Sequence, residues 1–224
     1  MVADLSWLRP FQARLQRRLD AAVVRADQAV RHRVQRARVR QFRAIGHISE
    51  SALLFPETHI ENLRGAPDAL CIGDHTAVRG ELVVLRHGGA IEIGDWCYIG
   101  ASTRLWSAAR ITLGHRVLVA HACEIHDWNA HPLDARARHR HFRDIITANH
   151  PAQLDDVPSA PVTIEHDAWI GFGSTLLKGV TIGHGSIVAA RSLVTESVPP
   201  GVLVAGSPAR VVRELPVSTW SGVD

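Results

Sequence analysis

From Val162 to Leu215 the chain reads VTIEHDAWIGFGSTLLKGVTIGHGSIVAARSLVTESVPPGVLVAGSPARVVREL, and branched or apolar residues fall at Ile164, Ile170, Leu176, Ile182, Val188 and Val194. A strict spacing of six over six positions fits neither the ~3.6-residue period of an amphipathic helix nor the alternation of a half-buried strand. It is the period of a β-helix, in which each repeat lays down one flat face of a coil and its apolar residue points into a narrow core. Small residues follow at Gly171, Gly183 and Ala189, where such a chain turns tightly.

Upstream, the coils are expected to begin near Ile72, with Ile72, Val78 and Val84 six apart. His87-Gly88-Gly89 interrupts the register. It resumes at Ile93, Ile99, Leu105 and Ile111, slips by two to Leu113, and continues at Val119 and Ile125. Such slips fit extra residues at corners, which leave the core unchanged. Residues 47–70 are expected to cap the coil, because an open end would expose strand edges and apolar core. Residues 126–161 leave the register. Read as a structureless stretch projecting from a corner, a segment this long is usually functional.

The register, the run DAWIGFGSTLLKGVTIG and the tail VPPGVLVAGSPARVVREL resemble the hexapeptide-repeat acyltransferases. More narrowly, they resemble the CoA-dependent O-acetyltransferases of sugars and surface polysaccharides. The resemblance covers residues 47–215 and implies an all-β fold, a left-handed parallel β-helix, preceded here by an α-helical extension. It also implies a homotrimer, acetyl-CoA as donor and no metal. The handedness rests on the resemblance alone, since the general rule for parallel crossovers gives the right hand. The expected organisation is an Arg-rich helical extension over 1–46, the β-helix domain over 47–215 with its loop at 126–161, and a C-terminal tail over 216–224.

Composition narrows the setting. The 224 residues hold no apolar run of about 18 that would span a bilayer, and the N-terminus has no apolar signal segment, so a cytoplasmic protein is expected. Cys71, Cys97 and Cys123 form no C-x-x-C pair and read as buried thiols rather than disulfides. The net charge of +3 is uneven: residues 1–45 carry eleven Arg against three Asp. Over 4–44 the apolar residues Leu5, Leu8, Leu15, Leu19, Ala22, Val23, Val30 and Val34 recur at spacings near three and four, with Arg on the other face and Pro10 breaking or starting a segment. Such a helix suits an anionic membrane surface, as a peripheral contact at its inner face, or a partner protein; the alternative is packing on its own trimer or coil. Nucleic acid is not expected, since no stacking aromatics accompany the Arg run.

Acetyl transfer to a hydroxyl needs a base, and histidine titrates near neutrality. With fourteen histidines, context must choose. The segment Asp127-Trp128-Asn129-Ala130-His131-Pro132-Leu133-Asp134 resembles the family's segment carrying the catalytic histidine, with the HPLD portion closest, which assigns His131 as general base. Its other ring nitrogen needs a partner; Asp127, Asn129 or a backbone carbonyl could serve. Cys123 is in phase with the coil and is not read as a nucleophile.

The resemblance places the CoA groove at Trp169, Gly171, Phe172, Ala190 and Thr195, with Arg210 and Arg213 near the nucleotide end. Arg suits phosphate because its planar fork donates two bonds. Two departures, Glu196 at a position basic in some relatives and Arg191 at a glycine position, weaken the match. Trp106, Trp128, Asn129 and Arg136 are candidate sugar contacts. Alternatives are N-acetylation of an amino sugar, an inactive trimeric scaffold, and a zinc carbonic anhydrase of the same fold. For the last, His121 and His126 have suitable spacing, but a third histidine is not in register at His87.

Overall fold

Six complete coils run from His47 to Val194, each contributing one short strand to each of three flat parallel sheets. The computed structural model describes residues 9–148 and 156–216; the C-terminal tail beyond 216 lies outside the described residues. The first coil comprises β1 (His47–Ile48), β2 (Leu53–Leu54) and β3 (His59–Asn62). Then come β4 (Leu70–Ile72), β5 (Ala77–Val78) and β6 (Glu81–Val84), followed by β7 (Ile91–Ile93), β8 (Tyr98–Ile99) and β9 (Arg104–Ser107). The fourth coil is β10 (Ile111–Leu113), β11 (Leu118–Val119) and β12 (Glu124–His126). After an excursion the fifth is β13 (Val162–Ile164), β14 (Trp169–Ile170) and β15 (Thr175–Leu176), and the sixth is β16 (Thr181–Ile182), β17 (Ile187–Val188) and β18 (Leu193–Val194). The fold is a left-handed parallel β-helix.

Three inward columns make the core. They are Ile48–Ile72–Ile93–Leu113–Ile164–Ile182, then Leu54–Val78–Ile99–Val119–Ile170–Val188–Val204, then Ile60–Leu82–Leu105–Ile125–Leu176–Val194. All are buried, and each contributes about 1.5–3 kcal/mol by leaving water. Buried hydroxyls join one coil to the next. Thr76 donates to the Gly94 carbonyl (2.7 Å) and accepts the Cys97 N–H (3.0 Å); Thr103 does the same with Ala120 (2.6 Å) and Cys123 (3.0 Å). Ser186 repeats the pattern with Pro199 (2.6 Å) and Val202 (3.1 Å). Each rung satisfies a corner donor that burial would otherwise strand.

Three expectations change. The coil does not wait for Ile72. Ile48, Leu54 and Ile60 are already six apart and face the core, so residues 47–62 are the first coil rather than a separate cap. Val84 is not the third-face partner of Val78. The corner Arg79-Gly80-Glu81 is short, and Leu82 enters the column instead, paired with Ile60 and Leu105. Glycine is required there, because a Cβ on Gly80 would collide with the Thr103 carbonyl. The stretch 126–161 is not structureless either: Ala135–Ala148 forms a helix, α2 below.

N-terminal to the coils, α1 spans Arg9–Ala44. Pro10 lies in its first turn, where its missing N–H has no helical partner to lose. Val23, Val30 and Val34 are more than half exposed along it. No described helix is long and apolar enough to cross a membrane. At the other end, β19 (Val202–Gly206) continues the second sheet in parallel, and β20 (Ala209–Glu214) folds back antiparallel along it as the last strand.

Candidate active site

The loop after β12 is pinched shut at its base. Trp128 and Ser159 form an antiparallel bridge, the Asn129 N–H donates to Pro158 O (3.1 Å), and the Ala160 N–H donates to Asp127 O (2.8 Å). Trp128 is buried against Val83, Leu85 and Ala108, with Trp106, Ala130 and Val157 alongside. Asp127 anchors the loop to the coil beneath it. Its carboxylate accepts the Ser107 hydroxyl (2.7 Å) and the N–H groups of Ala108 (2.7 Å) and Ala109 (3.0 Å). Burial raises its pKa, and those donors oppose the rise.

Beyond the pinch, Ala130 adopts a left-handed backbone (φ 63°) and presents His131. Asp134 caps α2 (Ala135–Ala148), its Oδ1 accepting the Ala137 N–H (2.8 Å). Arg138, one turn in, donates to the Pro132 (3.2 Å) and Leu133 (2.9 Å) carbonyls. His141 follows at the next turn on that face. Its Nδ1 lies 3.1 Å from Nδ1 of His131, with the rings edge-to-face at 5.1 Å. The group facing the His131 ring is therefore His141. Asp127 is committed to residues 107–109, and Asn129 supplies only its carbonyl, to the His131 N–H (2.7 Å). Position 141 carried no signal in the sequence; the capping residue Asp134 before an alanine-containing run was the clue to a helix that could bring it back.

Near the loop base, His126 stacks flat on Trp106 (5.7 Å, 2°) and meets Glu124 at 3.1 Å. Burial lowers its pKa, while Glu124 opposes the shift, so a neutral ring is favoured at pH 7. His121 lies instead on the corner after β11 and stacks on Phe172 (5.2 Å), and His87 packs against Trp128 (5.3 Å). No three His, Cys, Asp or Glu side chains among the described residues converge as a metal site would require. Cys123 is buried, its thiol donating to Gly171 O (3.3 Å), and burial raises its pKa; burial likewise pushes Cys97 up to about 11. Neither is an available nucleophile. Arg136 is exposed in the first turn of α2.

The proposed donor residues gather on the last two coils. Trp169 projects from the second sheet and is half exposed, and Phe172 is exposed at the next corner. A Cβ on Gly171 would lie 2.5 Å from Ala190 N, so only glycine lets these corners stack. Arg191 holds a left-handed φ of 58°, as Ser102 and Ala122 do at the same corner, so its departure from glycine leaves the turn intact. Thr195 follows β18. Arg213 pairs with Leu203 across β19 and β20, in line with Trp169 through Ile187; Arg210 approaches Glu196 at 3.7 Å. All of this set but Thr195 lies on the second sheet and the corner after it, whereas Thr195 follows β18 of the third sheet, the sheet from which the loop carrying His131 leaves.

Residues 161–196 match the bacterial transferase hexapeptide (six repeats) family model. The galactoside O-acetyltransferase of Escherichia coli (strain K12) is 32% identical over 133 residues, 59% of this chain and 58% of that protein. A 2,3,4,5-tetrahydropyridine-2,6-dicarboxylate N-acetyltransferase of Clostridium perfringens (strain SM101 / Type A) is 46% identical over 66 residues, 30% of this chain and 28% of that protein. Among solved structures, AntD, an N-acyltransferase from Bacillus cereus in complex with dTDP and 3-hydroxybutyryl-CoA, superposes with a TM-score of 0.61 at 19% identity, over 79% of this chain and 88% of that one. The chain spans 58% or less of the length of the first curated relatives it matches. The fold is that of a left-handed β-helix, and residues 161–196 are similar to the bacterial transferase hexapeptide repeats.

Proposed function

We propose that the chain is an acetyl-CoA-dependent O-acetyltransferase acting on a hydroxyl of a sugar or glycan intermediate, with His131 as general base. The observation that carries this reading is the constrained presentation of His131: a capped helix and a buried imidazole face its Nδ1, leaving Nε2 for chemistry. Nε2 takes the acceptor hydroxyl's proton as that oxygen attacks the thioester carbonyl. The C–S bond then breaks, and the imidazolium returns the proton to the departing thiolate. Trp169 and Phe172 offer exposed apolar surface for CoA, and Arg210 and Arg213 offer cations for its phosphates.

Assembly as a homotrimer belongs to the same proposal. His131 rides on the loop leaving the third sheet, while the donor residues other than Thr195 lie on the second sheet or the corner after it, so a second copy would bring the two sets together. Leu53, Leu118 and Trp169 are the exposed apolar members of one column on the second sheet, with Tyr98 partly exposed between Leu53 and Leu118 and Ile187 partly exposed beyond Trp169, and this column fits such a contact. An amine acceptor is the second reading, favoured by the N-acetyltransferase match over 66 residues.

Release of CoA thiol from acetyl-CoA, measured across galactosides, other sugars and amino sugars with mass analysis of products, tests both readings. An alkali-labile acetyl ester is expected, and light scattering should give three chains. An amide product would favour the second reading. No turnover above hydrolysis on any acceptor would remove the enzymatic reading, and an active monomer would remove the trimer.

A further inference from the structure

We infer that His141 is a positioning residue that sets the tautomer of His131, an inference resting on the assignment of His131 as general base. Two Nδ1 atoms 3.1 Å apart are joined by one shared proton. If His141 carries it, the His131 Nδ1 accepts, its Nε2 bears the hydrogen, and the ring cannot act as a base. If His131 carries it, Nε2 presents a lone pair to the acceptor hydroxyl. His141 is only 6% exposed and its Nδ1 is turned to the His131 ring, where a neutral imidazole can accept the shared hydrogen. As His131 gains the substrate proton, the same contact becomes charge-assisted and holds the imidazolium in place.

The local architecture serves this pairing. Asp134, Arg138 and His141 fall along one side of α2, four and three residues apart, and all three turn toward the loop. Asp134 caps the helix, Arg138 holds the Pro132 and Leu133 carbonyls, and His141 meets the ring. The helix is thereby fixed to the same tetrapeptide that carries His131. The exposed Arg136, His139 and Arg140 take no part in these contacts.

Isosteric amides separate positioning from packing. In His141→Asn the amide oxygen falls where Nδ1 stood, whereas His141→Gln places its polar end where Nε2 stood. With the full chain, acetyl-CoA and the best sugar acceptor, His141→Gln and His141→Leu are expected to lower kcat about 10–100-fold, with KM for acetyl-CoA unchanged. His141→Asn should recover most of the loss. Nitrogen-15 shifts of the unaltered protein should report His131 with its hydrogen on Nδ1, which keeps the inference testable if the Leu variant fails to fold. Equal activity of the Asn and Gln variants, or an Nε2-protonated His131, would overturn it. His131→Ala in the same assay separates the two levels: a harmless His131→Ala removes the base assignment and this inference with it. A damaging His131→Ala beside a fully active His141→Gln removes only the inference.

Discussion

The corner after the first sheet and the loop after β12 use histidine in opposite ways. At the corner, ring nitrogens close gaps in the backbone. The Asp95 N–H donates to His115 Nδ1 (2.9 Å), and the His115 N–H donates to His166 Nδ1 (2.9 Å). Carboxylates fill the same role nearby: Asp95 caps the Asp74 N–H (2.7 Å), and Glu165 caps the His184 N–H (2.7 Å). Each such side chain belongs to the scaffold, because its acceptor is spent on the neighbouring coil. In the loop, His131 Nδ1 faces another imidazole, and no coil amide occupies its ring. If His131 is the base proposed above, then among fourteen histidines what the ring nitrogen faces marks the chemical one, where position in the repeat does not.

Substitutions in the two regions should divide accordingly. The largest effect is expected for His131→Ala, with turnover lower by about 10²–10⁴-fold and thermal stability and acetyl-CoA binding unchanged, read by thiol release and calorimetry. A loss of folding instead would mean that the loop belongs to the scaffold. Asp127→Ala strikes the junction between the regions. It removes the acceptor for one hydroxyl and two N–H groups in a buried place and should cost about 1–3 kcal/mol in denaturant unfolding. Activity should fall as well, since the pinch that presents His131 is loosened. The smallest effect is expected for His166→Ala. Its ring is exposed, so water can replace Nδ1 at the His115 N–H, and the change should be at most about 1 kcal/mol with turnover intact. A His166 variant that folds normally but cannot turn over would erase the distinction between corner and loop.

The coils were legible wherever each turn kept equal corners. From Ile164 to Val194 every inward residue sits six after the last, and all six are buried. Legibility failed where a corner changed length. The register of Ile48, Leu54 and Ile60 was hidden because the chain then detours through a 3-10 turn at Pro67–Ala69 before β4. Val84 was mistaken for Leu82 because a short corner shifts the inward residue without breaking the apolar run. Helix α2 was missed because its sequence, ARARHRHFRDIITA, has few apolar positions to mark a buried face. His131 was identified through the resemblance of HPLD, but its neighbour at 141 depends on how many helical turns follow the cap. The sequence singled out Asp127 and His131 as neighbours in one segment; folding sends the first carboxylate down into the coil and the second side chain outward.

The backward turn of β20 has a consequence for the molecule as a material. A parallel β-helix has no intrinsic length: each end is a template on which another coil, or another copy, can stack, as in a growing fibre. β19 would offer that template on the second sheet, but β20 runs antiparallel along it and carries Arg210, Arg213 and Glu214. A next coil would no longer find the parallel edge of β19, and it would meet the exposed charges of β20 instead. The strand thus covers the open edge of β19 and opposes further parallel growth along that sheet.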